Sequence, residues 1–141
     1  MRTLVDTNLF LDVLLDRPGL AKESERALNI FRRGSATQGW ISWHTLSNLY
    51  YVGTNQVGRT QALDEIDLIL RTFQVASVGT RDALAARRLP MKDFEDALQS
   101  ASALAVKADH ILTRNIPDYR YSPIPAISPK QFLDLSENKT R

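Results

Sequence analysis

The sequence predicts an α/β fold, a three-layer α/β/α sandwich around a mostly parallel central sheet of about five strands. Three observations lead there. Short apolar runs of strand length alternate along the chain with longer segments whose apolar residues recur at helical spacing. Strands alternating with helices imply crossover connections, hence a parallel sheet covered on both faces. The 141 residues carry no internal repeat and no composition break, which suits one domain that buries most of its apolar surface. We assign residues 1–135 to that domain and 136–141 to a polar, frayed tail.

Each element has a local cause. Leu4 and Val5 form a short buried strand, and Leu9, Phe10, Val13 and Leu14 continue at helical spacing until "DRPG" at Asp16 to Gly19 turns the chain. A second amphipathic helix covers Glu23 to Arg33 and stops at Gly34. "GWIS" at Gly39 to Ser42 reads as the second strand, and Ser42 is placed to cap a helix that runs to about Gln56. Leu46, Leu49, Tyr50 and Gly53 share one face of that helix, the glycine permitting close packing. Thr60 is read as the next cap, ahead of the apolar stripe Ala62, Ile66, Ile69, Leu70 and Phe73. "FQVASV" at Phe73 to Val78 is a third strand, and a short helix around Asp82 to Arg88 is broken by Leu89-Pro90. Asp93 to Lys107 is strongly helical, His110 to Thr113 a fourth strand, Ile124 to Ile127 a weak fifth, and Pro129 to Leu135 a last helical turn or two.

Composition excludes several functions. The chain has no cysteine, so it forms no disulfide, thiolate nucleophile or zinc finger, which agrees with a reducing compartment. "MRTLVDTN" meets an aspartate too early for a signal peptide, and no apolar run approaches membrane-spanning length. A cytoplasmic protein with no membrane association is expected. The net charge of +2 is compatible with a polyanionic partner and decides little alone. There is no G-x-x-x-x-G-K, G-x-G-x-x-G, G-x-S-x-G or H-E-x-x-H motif. An aspartyl phosphotransfer domain would also set an aspartate after its first strand, but the paired D-x-D is missing.

The acidic residues point to chemistry. In a parallel sheet, ligands collect beyond the carboxyl ends of the strands. Asp6 ends strand one, while Thr113 and Asn115 end strand four, so these polar groups are expected at one rim. "KDFEDALQ" places Asp93 and Asp96 three apart at a helix start, and Asp118 follows "TRNIP". Singly, each has an ordinary reading: Asp6 as an N-cap, Asp93 with Asp96 as a capping box. Asp12, Asp16, Asp64, Asp67 and Asp134 are left as solvated faces or turns. Asp6, Asp96 and Asp118 converging with Asn115 and Thr113 would gather oxygen ligands with no arginine or lysine among them as partner. Crowded carboxylates raise one another's pKa unless a cation intervenes, and oxygen-only ligands favour Mg²⁺ or Mn²⁺. Phosphodiester hydrolysis is the natural chemistry of such a site. Arg114 and Arg120 flank it as candidate phosphate contacts. His44 and His110 are read as capping or packing residues, and Trp40, Trp43, Tyr50 and Tyr51 mostly as core.

"VDTNLFLDVLLDRPG", "ISWHTLSNLYYV", "LPMKDFEDALQSASAL" and "HILTRNIPDY" together resemble the four motifs of the PIN domain family, in order and across nearly the whole chain. The resemblance is to the branch of VapC-like toxins. It implies a metal-dependent endoribonuclease with one or two divalent ions, the toxin of a type II toxin-antitoxin pair, bound by a cognate antitoxin and forming a homodimer. By the resemblance Asp6 is the first-motif ligand, Asp96 the third, and Asp118 or Asn115 the fourth, with Asp93 a neighbouring ligand or an acid that supports one from behind, and Arg114 and Arg120 contacts to the RNA. Thr7, Asn8 and Thr113 orient water or carboxylates. Asn48 stands where many PIN toxins carry glutamate, supplying an oxygen without charge. The alternative it leaves is a PIN-like domain that binds RNA or a protein without cleaving.

Overall fold

The computed structural model describes residues 1–34 and 36–139. Its elements are β1 (Arg2–Val5), α1 (Thr7–Leu14), α2 (Ala21–Arg32), β2 (Gln38–Ile41), α3 (Trp43–Val57), α4 (Arg59–Thr72), β3 (Gln74–Val75), α5 (Thr80–Arg88), α6 (Phe94–Ala105), β4 (His110–Leu112), a 3-10 turn (Ile116–Tyr119), β5 (Ala126–Ile127) and α7 (Pro129–Lys139). The five strands form one sheet in the order β3-β2-β1-β4-β5, parallel at every pairing. Among the described residues, no helix is long and apolar enough to cross a membrane.

The sandwich follows from how the strands face. On β1, Val5 joins a core with Phe10, Leu28, Phe31, Leu49 and Phe132, whereas its neighbour Leu4 joins Ala103, Val106 and Tyr119 on the other face. Leu112 and Ile111 of β4 divide the same way. Successive side chains alternate across a strand, so a strand apolar at every position needs a helical layer on each side. Helices α1, α2, α3, α4 and α7 build the first layer, while α5 and α6 build the second. The first layer is knit by aromatic rings: Phe73 meets Phe10 edge-on at 5.2 Å and Phe31 at 5.1 Å.

Several local expectations are corrected. Strand β3 is only Gln74–Val75, because Phe73 turns inward onto Phe10 and Phe31 instead of continuing the sheet. Thr60 does not cap α4: Gly58, at φ 95, ends α3 and starts α4, a backbone turn that a side chain would disfavour. Ser42 holds the N-cap position of α3, yet its hydroxyl makes no capping bond and serves the site described below. Leu70 is 48% exposed and lies off the buried stripe of α4. Helix α6 stops at Ala105, and Lys107 adopts a positive φ of 56. Helix α7 continues to Lys139, into the segment assigned to the tail, whose last residues, 140 and 141, lie outside the described residues. The aromatic reading also fails in part, since Trp43 and Tyr51 are each 71% exposed and Tyr50 40%.

Candidate active site

The site is built at the carboxyl ends of β1 and β4. Asp6 follows the last residue of β1 and is pinned there by its own N–H, which donates to the Leu112 carbonyl at 2.9 Å. Asp6 occupies the N-cap position of α1 but makes no side-chain capping bond, so its carboxylate is available to other groups. Oδ2 accepts from the Thr113 hydroxyl at 2.7 Å, and Oδ1 faces the Gln99 amide nitrogen at 3.4 Å. The carboxylate is nearly buried. Burial raises its pKa, and hydrogen bonds from Thr113, the Thr7 backbone and Gln99, with the charge of Arg114, act against the rise.

Gln99 links the polar interior. One turn along α6 from Asp96, it is 2% exposed, and its Nε2 lies 3.2 Å from Thr7 Oγ1 and 3.4 Å from Thr45 Oγ1 as well as near Asp6. Its Oε1 accepts a very short hydrogen bond from the Ser42 hydroxyl. Thr7 and Thr45 hydroxyls are bonded to each other at 2.7 Å. Residues from β1, α1, α3 and α6 are thereby tied together behind the Asp6 carboxylate.

Two clefts meet at Asp96. The first, of about 240 Å³, is lined by Asp6, Asn8, Asn48, His44, Glu95 and Asp96 among others. The second, of about 280 Å³, holds Asp93, Asp96, Asp118, Arg120 and Tyr121. The Asp96 carboxyl is pushed up to about 7, first by burial, then by the charges of Asp93, Asp6 and Asp118. Tyr119 donates to Asp96 Oδ1 across 3.4 Å, and its phenol is held far above its ordinary range by burial beside these carboxylates. Burial and the neighbouring carboxylates together disfavour the ionised form of Asp96, and a bound cation would relieve both.

The sequence-predicted residues fall into three groups. Asp6, Asp96, Thr7, Asn8 and Asn48 surround the first cleft, with Thr113 bonded to Asp6 from below, while Asp118 and Arg120 line the second. Asp93 caps α6 by accepting from the Asp96 N–H at 3.0 Å and also faces the second cleft. Asn115 lines neither cleft, and its N–H donates to Thr113 Oγ1 at 3.0 Å. Arg114, expected to meet RNA, is instead spent inside the protein: Nε lies 2.5 Å from Asp12 Oδ2 and Nη2 2.8 Å from Asp12 Oδ1. Asp12 is therefore no solvated residue. It is fully buried and also bonded by Ser24 and Arg17. His110 is a packing residue as expected, bonded to Thr3 at 2.9 Å. His44, read the same way, lines the first cleft; burial lowers its pKa and Glu95 opposes that.

A hard divalent ion suits these donors chemically, since they are carboxylate, amide and hydroxyl oxygens. Among the described residues, no three acidic or imidazole side chains stand close enough to hold an ion by themselves. Mg²⁺ commonly keeps several waters and binds through one or two carboxylates, which is what this rim offers.

Solved structures share the fold. A chain of VapBC2 from Rickettsia felis, solved bound to a DNA fragment from its promoter, aligns with a TM-score of 0.72 at 17% identity, over 91% of this chain and 98% of that one. A toxin-antitoxin complex from Klebsiella pneumoniae gives 0.66 at 23% identity, over 90% and 97%. VapC20 of Mycobacterium tuberculosis, a toxin that cleaves the sarcin-ricin loop, gives 0.62 at 15% identity, over 77% and 86%. At such identities the likeness is one of fold. Comparison by sequence with curated proteins gives no match. The profile of the PIN domain, however, matches residues 2–117, which span both clefts' acidic residues except Asp118. This chain belongs to the PIN domain family.

Proposed function

We propose that the chain is a Mg²⁺- or Mn²⁺-dependent endoribonuclease that hydrolyses RNA phosphodiester bonds, acting as the toxin of a type II toxin-antitoxin pair. One observation carries the reading: Asp96 lies where two clefts join, with Asp6 on one side and Asp93 and Asp118 on the other, and burial together with the charges of these three neighbours pushes its carboxyl up to about 7. The bound ion would supply charge neutralisation at the phosphate and an activated water. Asp6 and Asp96 would hold it, with Asn48 and Asp118 beside them. Thr113 and Gln99 fix the direction of the Asp6 carboxylate, and Arg120 with Lys92 offers positive charge to the RNA strand at the second cleft. The toxin role and an antitoxin partner are supported by family membership and by the VapBC and toxin-antitoxin complexes that share the fold.

A second reading rests on Asn48, which lines the first cleft where a carboxylate would add charge. On that reading the domain binds RNA or a protein without cutting. Cleavage of a fluorescent RNA by the purified chain, in Mg²⁺ or Mn²⁺ and in chelator, separates the two. The nuclease reading expects cleavage only with metal, lost in Asp6→Asn and Asp96→Asn with the fold intact. Equal RNA loss in chelator and in metal would overturn it.

A further inference from the structure

Two aromatic side chains near the site are largely exposed. Trp43 is 71% exposed and Tyr121 55%. Trp43 walls an open cavity of about 520 Å³ with Val75, Ala76, Ser77 and Val78, and the next residue, His44, lines the acidic cleft. Tyr121 lines the second cleft with Asp96 and Asp118, and the Arg120 guanidinium lies over its ring, 5.0 Å from the centroid. Strand order fixes the sides. β2 leads into Trp43, β4 leads towards Tyr121, and both are immediate neighbours of β1, which ends at Asp6. Asp6 thus follows the strand that lies between the strands leading to the two rings, and those flanking strands are two strand spacings apart, roughly 10 Å.

We propose that Trp43 and Tyr121 are stacking platforms for two unpaired nucleobases, one on each side of the phosphate that lies at Asp6 and Asp96. The inference rests on the nuclease reading and adds to it the two side chains that hold the bases flanking the cut. A base in a duplex has both faces covered by its neighbours, whereas an unpaired base can be laid on an aromatic plane whatever its identity. The Arg120–Tyr121 pair presents a planar cation on an aromatic ring, which suits a base as well as a phosphate. Lys92 in the same cleft adds the positive charge that a polyanion needs beside Asp93 and Asp118. A peptide segment could cover Trp43, but it would not account for a second exposed ring, Tyr121, in the cleft that holds Asp96 and Asp118.

The test uses the full chain carrying Asp6→Asn, so that RNA is bound and not cut, with Mn²⁺ present. A short mixed-sequence oligoribonucleotide, single-stranded or annealed to its complement, is titrated by fluorescence polarisation. Trp43→Leu and Tyr121→Leu in this background should each weaken single-strand binding by about fivefold or more, as loss of one stacked base does, with Trp43→Phe retaining most of the affinity. Duplex binding should be weaker and insensitive to both changes. RNA should also quench tryptophan emission in the parent and not in Trp43→Phe. Unaltered single-strand affinity in Trp43→Leu, while the wild type still cleaves RNA, overturns the platforms and leaves the nuclease reading standing. Loss of self-association in Trp43→Leu with RNA affinity unchanged overturns them in favour of a protein interface. A parent that binds no RNA overturns both.

Discussion

Arg114 and Asp12, 102 residues apart in sequence, meet in a two-point ion pair that joins the end of β4 to the buried side of α1. The pair sits just behind the site, because Thr113, the residue before Arg114, is the one that bonds Asp6. A guanidinium matches a carboxylate at two points where an ammonium matches at one. Arg114→Ala leaves a fully buried aspartate with only Ser24 and Arg17, and should destabilise the protein by about 2–3 kcal/mol. Arg114→Lys should recover part of that. Denaturant melts of both variants check the order, and an Arg114→Ala protein of native stability with weakened RNA binding would return Arg114 to the RNA face.

The pH dependence of the metal-free protein follows from Asp96. Its folded-state pKa of about 7 exceeds that of a free aspartate, about 3.9, so between these values the native state holds a proton that the unfolded chain has released. Stability from this group is therefore greatest below about pH 4 and is lost as pH rises through about 7. The raised pKa of Asp6 acts in the same direction. Because Asp96 is partly exposed, solvent screening reduces the loss to about 1–2 kcal/mol. Asp96→Asn should remove it: in chelator, variant minus parent stability should grow from pH 4 to pH 7. If Asp96 mattered only to the helix start, the variant would be modestly less stable at every pH, and this account of Asp96 would be withdrawn.

Gln99 is expected to aim Asp6. Gln99→Met keeps the bulk and removes both amide roles, leaving Ser42 without its acceptor and Asp6 Oδ1 without its donor. Stranded buried polar groups cost about 1–3 kcal/mol each before relaxation, so a loss of about 2–3 kcal/mol is expected. The same variant should bind Mn²⁺ more weakly and lower kcat for RNA cleavage with KM little changed, since Gln99, almost fully buried at the floor of the first cleft, acts by holding the carboxylate. Intact Mn²⁺ affinity in a folded Gln99→Met protein would reduce Gln99 to a packing residue.

The fold was legible because its signals are local: apolar runs at strand length, stripes at helical spacing, and the rule that parallel strands expose their carboxyl ends. Asp6 and Thr113 could be placed on one rim by that rule alone, whereas Asp96, at a helix start, needed the resemblance to the family's motifs. Gln99 could not, since in an alanine- and leucine-rich helix it reads as an ordinary polar residue, although its position one turn after Asp96 on the same face was the available clue. The Asp12–Arg114 pair has no local signature, as nothing in "LFLDVLL" announces a partner 102 residues away. Trp43 misled because an aromatic residue at a strand-to-helix joint is usually core. Gly53 is the close contact its place on the apolar face of α3 suggests: a methyl group there would stand 2.9 Å from Leu14 and 3.0 Å from Ala62.

Asn48 offers the most direct test of the site's charge. It lines the first cleft with Asp6, Glu95 and Asp96, so Asn48→Glu would add a carboxylate to a rim already short of positive charge. Two consequences of opposite sign are expected. Without metal, another negative group must raise the cost of ionising Asp96 and lower stability at neutral pH. With metal, a charged oxygen ligand should tighten Mn²⁺ binding, by about tenfold, or 1.4 kcal/mol, because ligand charge count helps set affinity for hard ions. The variant should thus melt below the parent in chelator and gain more than the parent on adding Mn²⁺. Calorimetry measures the affinity directly. Mn²⁺ binding that is unchanged or weaker, in a variant that folds, would show that residue 48 does not reach the ion.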